Sequence, residues 1–117
     1  MSERELYVGS LYKHFKGGEY RVLGVTSPHK TGSEVIKRVG QAIDEENRDV
    51  VYDVFQNAKG EYFIFSEDGK IIKTKYVYYI ATYGDRHCYL RKYDIFLSKV
   101  DKKKYPEVEQ EYRFELK

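Results

Sequence analysis

The chain has 117 residues, 21 basic and 19 acidic side chains and a net charge of +2, which fits one domain without a strong global field. A sequence pI of about 8.5 neither establishes nor excludes the basic, clustered face of a nucleic-acid binder. The single cysteine, Cys88, cannot form an internal disulfide, no apolar run approaches the ~20 residues of a membrane span, and "MSERELYVGS" lacks a signal-peptide core. A cytoplasmic protein without membrane partners is the expectation.

Thirteen Tyr and six Phe, with no Trp, must supply much of the core volume, and they lean the chain toward β structure. In chain order, "LYKHF" and "EYRVLGVT" flank Lys16-Gly17-Gly18 and predict a hairpin. "TSPHKTGS" has the chemistry of a loop. Over "SEVIKRVGQAIDEEN", residues 33–47, Val35, Val39 and Ile43 recur every fourth residue beside Ile36. This spacing predicts an α-helix with Ser33 as N-cap and Gly40 as a weak point. "DVVYDVFQN", "EYFIFS" and "IIKTKYVYYIATYG" then predict three strands of an antiparallel meander, with Asp68-Gly69 marking a turn. "DRHCYLRK" predicts a further strand. "YDIFLSKV" begins as one helical turn and leaves as a short strand. The charged C-terminal stretch is broken by Pro106, and its "EYRFEL" is a candidate edge strand.

"YKHFKGGEYRVLGV" and "YGDRHCYLRKYDIFLSKV" resemble the two halves of a short bacterial family, domain-of-unknown-function family 1653. Tyr12, His14, Phe15, Lys16 and Gly17 fit its Tyr-x-His-Phe-Lys-Gly opening, and Tyr20, Val22 and Leu23 fit the next strand. Tyr79, Tyr83 and Gly84 fit its third strand and turn, and Arg91, Phe96 and Val100 fit its close. Tyr89 stands where the family has Trp, Lys92 replaces a Pro and Ile95 a Met. The resemblance implies a single domain over 1–117, with a core at 8–29 and 76–101 and residues 30–75 inserted as a helix and hairpin. It brings no accepted activity. Hairpin, third strand, fourth strand, helical turn and fifth strand is the order of a small SH3-like antiparallel barrel, so a mainly β fold with one inserted helix is expected.

Chemistry-bearing residues are sparse. His14, His29, His87 and Cys88 lack the paired spacing of a zinc site, and adjacent His87 and Cys88 point to opposite faces of a strand. No metal or cofactor is expected. Cys88 has no sequence partner for nucleophilic catalysis, and Asp44, Glu45 and Glu46 read as a solvated helix end. Walker spacing is absent around Gly17-Gly18. The informative set is Tyr12, His14, Phe15, Tyr20, Tyr83, Tyr89 and Arg91, drawn from separate strands. If these residues adjoin and stay open, they form a stacking and cation–π surface for a small ligand or a protein partner. If not, the rings are core. The leading expectation is therefore a non-catalytic binding module. One alternative is a nucleic-acid-associated protein using Tyr stacking and the Lys99–Lys104 cluster. Another is an enzyme using His14 and Arg91.

Overall fold

A computed structural model describes residues 4–30 and 35–117. Eight strands form one sheet: β1 Leu11–His14, β2 Glu19–Val25, β3 Ile36–Asp44, β4 Val51–Asn57, β5 Tyr62–Phe63, β6 Tyr76–Ala81, β7 Cys88–Lys92 and β8 Phe114–Leu116. A single helical turn, α1 Tyr93–Phe96, follows β7. The order across the sheet is β5-β4-β3-β7-β6-β2-β1-β8.

The first hairpin forms as its residues predict. Gly17, at φ 111°, takes a backbone conformation that a side chain would strain. Its N–H donates to the His14 carbonyl at 2.8 Å, and the His14 N–H donates to the Gly18 carbonyl at 2.7 Å. β2 then pairs antiparallel with β6, and β6 with β7. The predicted edge strand forms as β8, which pairs with β1.

β6 is central and covered on both sides. Val77 and Tyr79 join Tyr12, Val22, Phe96 and Phe114 in one core. Tyr76 and Tyr78 face the other way and join Ala42, Val54, Ile64 and Leu90 in a second. That alternation explains why "YVYYIA" carries no polar face.

Three expectations are corrected. The helix over 33–47 is instead β3, and its proposed N-cap Ser33 lies outside the described residues. A spacing of four is a multiple of two, so Val35, Val39 and Ile43 satisfy strand alternation as well as a helical stripe. Their β-branched side chains favour the strand. A register shift between Arg38 and Gly40 leaves Val39 as the extra residue of a bulge, and Val35 is 84% exposed, so no buried helical stripe exists.

The expected meander ends at β5. β6 pairs with β2 and β7 rather than with β5.

The sheet is also open. β5 and β8 are its two edges, so the closed SH3-like barrel with an inserted helix is not what forms. β3 through β5 instead extend the sheet, because β3 lies parallel to β7 with Ile43 opposite Tyr89 and Asp44 opposite Leu90. The sheet curls enough for β5 to reach the end of β2, where Thr26 and Tyr62 make one isolated parallel bridge. The Ser27 N–H donates to the Tyr62 carbonyl at 2.7 Å. Among the described residues, no helix is long and apolar enough to cross a membrane.

Candidate functional site: an aromatic cleft holding Arg91

The parallel junction of β3 and β7 delivers the turn after β3 to the end of the β1–β2 hairpin. The Glu45 N–H donates to the Leu90 carbonyl at 2.9 Å, which holds that turn against β7. A cleft of about 370 Å³ opens there, lined by His14, Lys16, Gly18, Tyr20, Glu45, Arg48, Tyr79, Tyr83, Arg91 and Phe114. This volume lies within the range of small-ligand pockets, roughly 300–1,000 Å³.

Four of the seven residues singled out from sequence meet in this cleft: His14, Tyr20, Tyr83 and Arg91. The other three do not line it. Tyr12 is fully buried, its ring edge-on to Phe96 at 5.5 Å, and its hydroxyl accepts the Tyr7 N–H at 3.0 Å. It is core and not part of an open binding surface, because its ring lies on the inner face of β1. Phe15 turns away to pack against Tyr105, 5.0 Å between centroids. Tyr89 supports the wall from behind, 5.8 Å from Tyr79 and 6.1 Å from Tyr20.

The floor is aromatic. His14 sits 4.7 Å from the Phe114 ring, and the Arg91 guanidinium lies 5.5 Å from the same ring. Arg91 Nε donates to the Tyr79 hydroxyl at 3.3 Å. Among the described residues Arg91 forms no ion pair, so its charge has no carboxylate partner. Tyr20 and Tyr83 hydroxyls meet at 2.9 Å. Burial and this contact push Tyr20 ionisation well above the ordinary phenol range, so its proton stays in place at neutral pH.

His14 carries no charge at neutral pH. Burial, with Arg91, Lys16 and Arg113 nearby, lowers its pKa to about 4. Its Nδ1 accepts the Lys16 backbone N–H at 3.1 Å, which leaves the proton of the neutral ring on Nε2 as a donor. The unfolded chain, with an ordinary pKa near 6.5, binds a proton that the folded chain refuses. Folding stability is therefore unaffected above pH 6.5 and falls as pH drops from 6.5 toward 4. The expected loss is about 1–2 kcal/mol once solvent screening of a partly exposed ring is allowed for. Urea unfolding at pH 7 and pH 4.5, compared between the parent and His14→Asn, measures it: the variant should lose less stability than the parent over that interval.

Sequence reasoning missed Glu45 and Arg48. "DEEN" read as a solvated helix end, yet Asp44 is buried and the Glu45 side chain is only 7% exposed. Asp44 Oδ1 accepts the Glu46 N–H at 2.9 Å, shaping the turn. Arg48 Nε and Nη2 both reach Glu45 Oε1, at 2.8 and 2.6 Å. An acid and a base three residues apart was the available signal, but the helical reading placed Glu45 in solvent and left Arg48 unread.

Other candidates are accounted for elsewhere. His29 and His87 are exposed and Cys88 is half-buried. Burial raises the Cys88 pKa, the reverse of an activated thiol. No cluster of three or more metal-ligating side chains exists among the described residues. Within Lys99–Lys104, Lys99 pairs with Glu111 at 3.8 Å. Lys102 donates to the carbonyls of Val108 and of Gln110, and Lys104 lies 5.6 Å over Tyr105.

The molecule is thus a mainly β protein with a polar, aromatic-walled cleft where the first hairpin meets the β3–β7 junction. Residues 61–116 match the family model described as Protein of unknown function (DUF1653), which supports the resemblance to domain-of-unknown-function family 1653. The matched span begins inside the stretch read as inserted and runs from β5 to β8, while the Tyr12–Gly17 opening lies before it. No curated protein and no solved structure matches the chain.

Proposed function

We propose that the protein is a non-catalytic binding module whose cleft holds a small ligand, or one group of a partner, between aromatic walls and Arg91. The carrying observation is the Arg91 guanidinium itself. It lies half-buried among Phe114, Tyr79 and His14, forms no ion pair among the described residues, and so keeps its charge and terminal donors for a partner. The strand order β8-β1-β2-β6-β7, with a helical turn before the last strand in sequence, supports an SH3-like relationship for this part of the sheet. The β3–β5 ribbon would then be the decoration that adds Glu45 and Arg48 to the cleft.

Binding accounts for His14 better than catalysis does. A general base works best with a pKa near the operating pH, whereas His14 has a pKa of about 4 and its Nδ1 lone pair is occupied. In the Lys99–Lys104 segment Lys99 pairs with Glu111 and Lys102 and Lys104 contact their own loop, which gives the nucleic-acid reading no comparable support.

The test is a titration of isotopically labelled protein with a fragment mixture of acids, amines and neutral aromatics, read by amide NMR. Shifts should concentrate at Lys16, Gly18, Tyr83 and Arg48. Gly18→Ala should weaken them, because a Cβ there would stand 2.7 Å from both Tyr hydroxyls and push the pair into the opening. Shifts confined to other surfaces, or none at any fragment concentration, would overturn the reading.

A further inference from the structure

The donors and charges of the cleft define the chemistry of its occupant, given the binding role proposed above. Arg91 spends Nε on Tyr79, and its two terminal nitrogens have no acceptor among the described residues. His14 presents Nε2–H, since Nδ1 is taken by the Lys16 N–H. Of the Tyr20–Tyr83 hydroxyl pair, one donates to the other, and the proton of the acceptor hydroxyl remains to be given outward. The acceptor side is thin. Glu45 is the only carboxylate in the lining, and its Oε1 already takes both contacts from Arg48.

Charge points the same way. Lys16, Arg48 and Arg91 against Glu45 give three positive charges and one negative, a net +2, in the lining. Behind His14, Arg113 adds a further positive charge, and its Nε is buried without an acceptor. A neutral occupant would leave the net charge unbalanced, a cationic one would add to it, and a monoanion would balance only half of it. Tyr20 and Tyr83 offer ring surface on one side of the cleft, packed edge to face with 5.9 Å between centroids, and His14 lies against Phe114.

We infer that the cleft takes a doubly charged oxyanion carried on a flat group, an aryl phosphate monoester being the chemical class that fits. The phosphoryl oxygens accept from Arg91 and His14, as a planar guanidinium favours, while the ring stacks toward Tyr20 and Tyr83. The same chemistry is offered by a free small molecule and by a phosphorylated tyrosine side chain.

The experiment titrates the full chain, at constant ionic strength and pH 7.5, with phenyl phosphate, phenyl sulfate, benzyl alcohol and benzylamine. Phenyl phosphate should bind most tightly, and phenyl sulfate, of the same shape with one charge, about tenfold more weakly. Arg91→Gln should cost tenfold or more in phenyl phosphate affinity. Lys16→Gln, an exposed position whose change leaves folding intact, should cost a few-fold and serves if the Arg91 variant fails to fold. A phosphotyrosine pentapeptide binding more tightly than phenyl phosphate assigns the ligand to a protein partner, and equal or weaker peptide binding assigns it to a small molecule. Equal affinity for sulfate and phosphate overturns the dianion, as does indifference to Lys16→Gln together with Arg91→Gln. Benzyl alcohol or benzylamine binding in the cleft in preference to phenyl phosphate overturns the oxyanion and leaves the binding role standing.

Discussion

Phe96→Ala should remove about 3–5 kcal/mol of folding stability, the usual cost of emptying a fully buried aromatic site. Phe96 is the one buried residue of α1, and it stacks on Phe114 with centroids 4.0 Å apart and planes 9° from parallel. It also meets Tyr12 at 5.5 Å and Tyr79 at 5.3 Å. These rings join the helical turn, the first hairpin, the central strand and the last strand. Because total stability of a domain this size is about 5–15 kcal/mol, the loss is visible in a urea titration as a large fall in midpoint. Phe55→Ala provides the contrast. Its ring is half-buried on the outer ribbon and touches Phe65 at 5.5 Å, so its removal should cost about 1 kcal/mol. Similar losses for both would mean that the Phe96–Phe114 cluster does not carry the first core.

Gly24→Ala should cost about 1–3 kcal/mol through overpacking. Gly24 has ordinary backbone geometry, so the constraint is one of space. A Cβ there would lie 2.5 Å from Tyr62 Cε2 and 2.6 Å from Cδ2, because the Tyr62 ring lies flat on the backbone of β2. The same ring packs against Tyr78 at 5.0 Å, and the Tyr62 carbonyl holds the Ser27 N–H. Displacing it should also open the contact between β5 and the end of β2, seen as faster amide exchange at Ser27. In a double-mutant cycle, Tyr62→Ala should absorb much of the Gly24→Ala penalty, because the clash disappears with the ring. Strict additivity would argue that Gly24 is needed for some other reason.

What could be read from sequence depended on whether local chemistry specified the outcome. The Lys-Gly-Gly turn, the strand at "DRHCYLRK" and the helical turn at "YDIF" are local signals, and each forms where expected, whereas a register shift between Val22 and Gly24 breaks the alternation of β2. β3 was not legible, because a four-residue apolar spacing serves two periods and a bulge at Val39 hides the alternation. Nor was the open sheet. It depends on β3 choosing the free edge of β7, a pairing between residues 46 positions apart that no turn or spacing announces.

The cleft divides along the same line. His14 and Arg91 were legible because polar groups amid rings are conspicuous, and Tyr20 and Tyr83 because they flank turns. Tyr12 and Phe15 share those signals, yet a neighbour in sequence does not say which way a ring will face. Glu45 and Arg48 come to the site only through the β3–β7 junction.

That junction has a kinetic corollary. The ribbon from β3 to β5 is built from near neighbours in the chain, so it can zip up alone on a timescale of microseconds. Its landing place, Cys88–Lys92, exists only after β6 and β7 have found β2, and closing so long a loop slows the step. Refolding should therefore show the ribbon protected early and Glu45 last to acquire its native shielding, making completion of the cleft the final event of assembly.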